Sequence, residues 1–128
     1  MIVIYGINHK LNPIKAKLSD VIHECMHIAL GLPENKRAQR FIPLRVEDFY
    51  YPEGRSAAYT VIEINMMEGR TVPTKKALIK MLFSQIEAQI GINPIDIEIT
   101  IKEQPAYCWG FRGMTGDEAQ DLQYKVKV

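Results

Sequence analysis

The sequence contains a pattern that zinc enzymes use, the letters HECMH at residues 23–27. On a helix, two histidines four residues apart share one face and can bind zinc, and Glu24 would then serve as general base. A catalytic zinc needs a third protein ligand, and the extended pattern would place Gly at position 30 and His at position 33. Those positions carry Leu30 and Pro33. We therefore predict no metal site. A zinc hydrolase stays only as a hypothesis that elemental analysis for zinc can test.

Cations beside turns form the second set of candidates. Arg70 follows a glycine just before a predicted helix, where a guanidinium either binds a carboxylate or forms a surface salt bridge. For Arg37, Arg40 and Arg45, which lie on or near a predicted strand, we favour a salt-bridge network between subunits, although Arg37 also stays a candidate for binding substrate.

The overall composition limits the classes of function. The chain has 128 residues with 47% hydrophobic and 24% charged residues, which predicts one globular domain over residues 1–128. A formal charge of +1 gives no electrostatic footprint for nucleic acid or an anionic membrane. No apolar run approaches the ~18 residues of a membrane span. Cys25 and Cys108 are expected to be free thiols, which favours the cytoplasm. We predict a small-molecule partner or further copies of the chain.

Two similar units follow each other along the chain. In the first unit, residues 2–7 predict a strand, Asn12 and Pro13 predict the start of a helix with Asn12 as its cap, and Gly31 predicts its end. Along this helix, Cys25 falls on the apolar stripe, and the histidines at 23 and 27 fall on or beside the solvated face. Residues 38–46 predict a second strand.

The second unit repeats this plan. Residues 59–67 predict a strand, Thr71 and Pro73 predict the start of a helix that ends at Gly91, and residues 95–103 alternate as a strand with one wet face. Prolines 13 and 73 and glycines 31 and 91 are both separated by 60 residues.

The units, residues 1–46 and 59–104, predict an α+β fold made of a duplicated β-α-β unit. It has a four-stranded sheet with two helices on one face. Nothing is left to cover the other face, so we expect oligomerisation. Residues 105–128 predict a C-terminal hairpin or turn-rich tail that packs against a neighbour or lines a pocket. Their glycines are spaced by three, which is not a dinucleotide-binding pattern, and we predict no cofactor.

Several short segments together resemble the tautomerase superfamily. They are EGRT (68–71) before KKALIKML (75–82), DVIHE (20–24), GLPENKRAQRF (31–41), GRS (54–56), GINP (91–94) and CWGF (108–111). In order and spacing the chain is most similar to the long, fused-repeat branch that includes malonate semialdehyde decarboxylase. The resemblance implies the superfamily's two-layer α+β fold, shared with 4-oxalocrotonate tautomerase and macrophage migration inhibitory factor, and assembly as a homotrimer.

The resemblance also implies a set of site residues. The family's N-terminal proline, a general base or acid, is replaced by Met1, whose α-amine has an ordinary pKa near 7.7–8.0 that burial and a neighbouring cation lower. The position that binds a carboxylate or an enolate carries Arg70, and its equivalent in the first unit carries Lys10. Trp109 and Phe111 match the aromatic pair that lines the family's pocket, so they either contact substrate or only pack against neighbouring residues.

A further position departs from the family pattern. Where hydratase and decarboxylase members place an aspartate, this chain has Lys36, flanked by Arg37, so we expect these two residues to contact substrate rather than to support that chemistry. We predict a tautomerase-like isomerase that acts on a small 2-keto acid or its enol through Met1 and Arg70. The alternative is a non-catalytic trimeric binding or scaffold protein.

Overall fold

Each half of the chain forms a strand, a long helix and a second strand. The computed structural model describes residues 1–119 and 126–128. The elements are β1 (Ile2–Ile7), α1 (Asn8–Leu11), α2 (Lys15–Leu30), β2 (Gln39–Leu44), β3 (Thr60–Met67), α3 (Val72–Ile90), β4 (Ile97–Gln104), β5 (Gly110–Phe111) and β6 (Met114–Thr115). Single 3₁₀ turns cover Val46–Asp48, Pro94–Asp96 and Ala106–Cys108. The predicted α+β class with a four-stranded sheet is confirmed.

The strand register preserves the 60-residue period. The sheet order is β2-β1-β3-β4, with parallel outer pairs and an antiparallel central pair. Ile2 pairs with Gln39, and Ile62 pairs with Ile99, which is the same pair shifted by 60 residues. Strand β2, which carries Pro43, lies at an edge, where a residue without an N–H is tolerated. The two units are therefore related by an approximate two-fold axis between β1 and β3.

Both helices pack on one face of the sheet. Alternate residues of β1 and β3 point to this face, and Ile4 and Ile62 are fully buried there. The helices contribute the fully buried Leu18, Leu78 and Leu82 to the same apolar cluster. Burial of each such side chain stabilises the fold by roughly 1.5–3 kcal/mol, so this single core sets the positions of the strand ends.

Three of the predicted helix ends are found as expected. Gly31 and Gly91 adopt left-handed φ values of 71° and 83° directly after the two long helices. A residue with a Cβ is strained in that conformation, which explains the glycine at both sites. At the start of α3, the Thr71 side chain accepts a hydrogen bond from the Thr74 N–H, so Thr71 is the cap.

The predicted start of the first long helix is wrong. Residues Asn8–Leu11 form a short helix, a turn follows, and α2 begins only at Lys15, without a side-chain cap. Instead of capping, the Asn12 Oδ1 accepts a hydrogen bond from Lys15 Nζ at 3.1 Å. The reason lies in packing: Leu11 is buried against Gly6, where a Cβ would lie 3.2 Å from the leucine, and this contact needs a helical turn directly after β1.

The opposite face of the sheet is polar at one end and apolar in the middle. Val3, Tyr5 and Val61 are half-buried there, and Ile42 is exposed. Lys102 and Glu63 form an ion pair of 2.6 Å across β3 and β4. Among the described residues, no helix is long and apolar enough to cross a membrane.

The tail forms a small hairpin from β5 and β6 after a 3₁₀ turn, as the glycine-rich sequence predicts. The chain end then lies against its own α3, because the Thr74 hydroxyl donates to the Val128 oxygen at 2.7 Å. The remainder of the predicted tail, residues 120–125, lies outside the described residues.

Candidate functional site

A cavity of about 380 Å³ opens at the start of β1. The end of α2, the loop after it, the end of β3 and the C-terminal hairpin form its walls. The lining residues are Met1, Met26, Leu30, Leu32, Lys36, Ala38, Asn65, Met66, Met67, Arg70, Trp109, Phe111 and Arg112. Apolar side chains thus surround a small number of charged groups, which is the usual composition of a small-molecule site.

The N-terminal amine lies in this cavity at a fixed position. The Met1 amine donates a hydrogen bond to the Asn65 carbonyl oxygen at 2.8 Å, and the Asn65 N–H donates to the Met1 carbonyl oxygen at 2.8 Å. Burial, and then the charges of Arg40 and Arg70, lower the pKa of the amine from its ordinary value of 8.0. A larger fraction of the amine is therefore neutral, and able to accept a proton, near pH 7.

Arg70 is the buried cation of the site. It is 7% exposed, and its Nη1 donates to the Met67 carbonyl oxygen at 3.3 Å. The preceding Gly69 has a φ of 142°, and a Cβ there would lie 3.0 Å from a Val126 methyl group. Only glycine fits this turn, and the turn places Arg70 on the wall of the cavity that Met1 also lines.

Lys10 does not share this cavity. It lines a separate cavity of about 150 Å³ together with Gly6, Ile7 and Tyr59. Lys10 and Arg70 occupy corresponding positions in the two units, so the smaller cavity is the counterpart of the larger one. By the 60-residue shift, Met1 corresponds to Val61, whose nitrogen belongs to the peptide bond with Thr60 and is not an amine.

Lys36 and Arg37, the two cations that follow α2, differ in their position relative to the candidate cavity. Lys36 lines the candidate cavity and also a neighbouring cavity of about 430 Å³. Arg37 lines only the neighbouring cavity and is bound to Asp20 at 2.6 Å and to the Ser19 hydroxyl at 3.1 Å. Met1 lines both cavities, so the geometry brings Lys36, but not Arg37, into the cavity that holds both Met1 and Arg70.

The hairpin supplies the aromatic wall. Trp109 and Phe111 both line the cavity, as the family resemblance implies. The Trp109 indole N–H is buried and has no acceptor among the described residues. Arg112, at the tip of the hairpin, lies over the Phe111 ring at 5.4 Å and also lines the cavity.

Sequence reasoning missed two of the charged residues. Arg112 gave no signal beyond its place in a turn. Arg40 was expected in a network between subunits, yet its charge acts on the Met1 amine of its own chain. The pairing of Arg40 with Val3 places it on the open face of the sheet, two residues along β1 from that amine. Arg45 pairs with Glu47 and Asp48.

The two helix histidines contact the loop after α2. His23 is 6% exposed, not on the solvated face as expected, and its Nε2 lies 2.9 Å from the Glu34 carbonyl oxygen. His27 Nδ1 lies 2.6 Å from the Leu32 carbonyl oxygen.

Burial, and then the charge of Glu24, raises the pKa of the Cys25 thiol to about 11. Among residues 1–119 and 126–128, no group of three His, Cys, Asp or Glu side chains could hold a metal ion.

Comparisons with known proteins agree with this geometry. The family described as tautomerase enzymes matches residues 36–112. A probable tautomerase of Bacillus subtilis, YusQ, is 26% identical over 100 residues, which cover 74% of this chain and 79% of that protein. A probable tautomerase of Ralstonia nicotianae, RSp0893, is 33% identical over 61 residues, which cover 48% of this chain and 87% of that protein.

The solved structures show the same fold. Malonate semialdehyde decarboxylase superposes with a TM-score of 0.80 at 24% identity, covering 89% of this chain and 92% of that one. A fused 4-OT, described as an asymmetric trimer, superposes with a TM-score of 0.80 at 23% identity, covering 91% and 96%.

Proposed function

The chain belongs to the tautomerase family, and we propose that it interconverts the keto and enol forms of a small 2-oxo acid. One observation carries the proposal: an N-terminal amine with a lowered pKa and a buried guanidinium line one cavity. The lowered pKa favours the neutral form of the amine, which accepts a proton, and the guanidinium pairs with a carboxylate or with negative charge on oxygen.

Arg70 binds the substrate carboxylate and the developing enolate oxygen in this proposal. A buried guanidinium stabilises anionic oxygen more strongly than an exposed one does, because less water competes for it. Lys36 adds a second cation at the side of the cavity that borders the neighbouring one.

Met1 moves the proton. The neutral amine accepts the proton from the enol hydroxyl, which leaves an enolate beside Arg70. The resulting ammonium then returns a proton to C3, which gives the keto form and regenerates the neutral amine. The hydrogen bond to the Asn65 carbonyl uses one N–H of the amine in both protonation states, so the lone pair remains available on the neutral nitrogen.

One feature favours the alternative of a non-catalytic binding protein. The Met1 side chain, 45% exposed, itself lines the cavity and occupies space that a substrate would use. In that case the same cations bind a carboxylate without proton transfer, and the amine needs no lowered pKa.

The test is the ketonisation of phenylenolpyruvate, followed by the loss of enol absorbance, after intact mass has established that Met1 carries a free amine. We expect a rate above buffer, and a loss of about 10²-fold in kcat/KM for Arg70→Ala. Arg55→Ala, which removes an exposed arginine of the loop at residues 47–58, is the matched control and should retain the wild-type rate. A wild-type rate equal to that of buffer, with carboxylate binding retained, would support the binding protein.

We also propose that the protein is a homotrimer. The open sheet face carries half-buried apolar residues, and fused 4-OT structures with this fold are described as trimers. Three sheets that pack face inward would cover Val3, Tyr5 and Val61.

A further inference from the structure

The loop at residues 32–38, here called the cavity loop, joins α2 to β2 and forms one wall of the candidate site. Leu32, Lys36 and Ala38 line both the candidate cavity and the neighbouring one. Loops are the more mobile parts of a fold. If Lys36 is to contact a substrate beside Met1, this loop has to keep Lys36 in one position. The chain therefore needs contacts that fix the loop.

Two histidines on successive turns of α2 make such contacts. His27 Nδ1 lies 2.6 Å from the Leu32 carbonyl oxygen, and His23 Nε2 lies 2.9 Å from the Glu34 carbonyl oxygen. A carbonyl oxygen only accepts hydrogen bonds, so both ring nitrogens are the donors. Within the loop, the Lys36 N–H donates to the Pro33 carbonyl oxygen at 3.0 Å and closes a turn. The histidine bonds thus fix the chain just before this turn and within it.

The contacts are specific because of where they lie. His23 is almost completely buried and Glu34 is exposed, so this hydrogen bond ties an exposed part of the loop to a side chain that the core holds in place. A third contact, from Arg37 to Asp20, ties the far end of the loop one turn earlier on the same helix. One face of α2 therefore holds the loop at three successive turns.

We infer that His23 and His27 are positioning residues that hold the cavity loop, and through it Leu32 and Lys36, in place for substrate. The inference rests on the proposed function for its kinetic readout only. It also gives the HECMH pattern a role that needs no metal, because both histidines have a hydrogen-bond partner in the cavity loop.

The experiment compares variants that keep the donor with variants that lose it. In His27→Asn the amide nitrogen replaces Nδ1, and in His23→Gln it replaces Nε2, whereas His27→Leu and His23→Leu remove the donor. We expect the leucine variants to raise KM for phenylenolpyruvate about tenfold with kcat within about twofold, because ground-state positioning is lost. The Asn and Gln variants should restore most of the affinity.

A second readout does not need activity. The exchange rate of the Lys36 amide hydrogen, measured by NMR, should rise about tenfold in the leucine variants and return toward wild type in the donor-retaining ones. If wild-type protein shows no turnover, the proposed function fails, while these exchange rates still decide the role of the histidines. If His23→Leu does not fold, the comparison of His27→Leu with His27→Asn still tests the inference, because His27 is half-exposed and its replacement disturbs the core less.

Glu24→Gln is the control, since Glu24 is exposed on the same helix and a zinc hydrolase would lose its base there. We expect wild-type KM and exchange rates for this variant. Equal exchange rates and KM in wild type and both leucine variants would overturn the inference, as would stoichiometric zinc bound through His23 and His27.

Discussion

At the scale of single residues, the main question is how a primary amine replaces a ring amine. A free N-terminus ordinarily samples many orientations, which would weaken its action as a base. Here the paired hydrogen bonds between Met1 and Asn65 extend the β1–β3 ladder by one residue and fix the nitrogen. The amine therefore has the two properties that the proposed chemistry needs, a fixed position and a lowered pKa.

The charge of Arg40 gives a prediction about pH. A base acts in its neutral form, so a lowered pKa moves the rising limb of kcat/KM to lower pH. Burial and two arginines lower the pKa of the Met1 amine, and Arg40→Gln removes the larger of the two charge effects. We expect the limb to move to higher pH in this variant, measured as kcat/KM against pH.

Arg40→Lys keeps the charge and is the control, with a limb close to that of wild type. The lowered pKa of the Met1 amine also affects the stability of the fold, because the amine of the unfolded chain keeps its proton up to a higher pH than the amine of the folded chain. Stability should therefore rise with pH between the folded value and 8.0, and less so in Arg40→Gln. If the rising limb of kcat/KM against pH does not move in Arg40→Gln, that limb reports the titration of a group other than the Met1 amine.

The residues of the site were only partly predictable from sequence. Spacing placed Arg70 and Lys10 at equivalent positions, but it could not show that only Arg70 lies beside Met1. The proximity of Arg70 to Met1 depends on the antiparallel pairing of β1 with β3, which brings the end of β3 next to the start of β1. For the same reason, the effect of Arg40 on the amine needed the register of β2 against β1.

At the scale of elements, the internal repeat made the fold predictable. A strand, a long helix and a strand in each unit follow from periodicity, a Thr cap and glycine ends, all of which are local signals. The start of α2 was not predictable, because the packing of Leu11 on Gly6 is a tertiary contact that overrides the capping preference of Asn12. The units have also diverged at corresponding turns.

Lys36 and Asp96 show this divergence. They are 60 residues apart, yet Lys36 lines the candidate cavity, while Asp96 is buried and accepts hydrogen bonds from the Ser56 N–H and hydroxyl, both at 2.7 Å. One turn thus serves the site, and the other anchors the loop at residues 47–58.

The hairpin that carries Trp109 packs tightly around Gly116. A Cβ at Gly116 would lie 2.4 Å from the Ala106 carbonyl oxygen and 3.1 Å from the Trp109 Cβ. We expect Gly116→Ala to lower the free energy of unfolding by about 1–3 kcal/mol, because backbone must shift to admit the methyl group. Denaturant unfolding, followed by Trp109 fluorescence, measures this change.

Gly110→Ala is the matched control in the same hairpin, since its Cβ would lie 3.9 Å from the nearest atom, the Met114 carbonyl oxygen. It should leave stability within about 0.5 kcal/mol of wild type. Equal stabilities for the two alanine variants would mean that the hairpin adjusts freely and does not fix the aromatic wall.

At the scale of the whole molecule, the candidate site borders the open sheet face. Val3, which points to that face, pairs with Arg40 on one side and with Glu63 on the other. Glu63 accepts hydrogen bonds from Lys102 and Tyr5, which lower the pKa of its carboxyl group. A neighbouring subunit that covers this face would exclude water from Arg40 and thereby strengthen its effect on the Met1 amine.

This coupling predicts that assembly and activity are lost together. Val61 lies at the centre of the open face, paired with Tyr5 and Glu98, and is half-buried in one chain. Val61→Lys would place a long, charged side chain in the proposed trimer interface while leaving the helix-covered core untouched. We expect sedimentation to show a trimer for wild type and a monomer for the variant, with kcat/KM lowered at least about tenfold.

Ile28→Lys, at an exposed position on α2, introduces the same charge on the outer surface and should remain trimeric and active. A wild-type protein that sediments as a monomer would contradict the proposed assembly. A monomeric Val61→Lys variant with full activity would instead show that each chain forms a complete site. The charge of Arg40 would then act on the amine without cover from a second subunit, as its position in the single chain already allows.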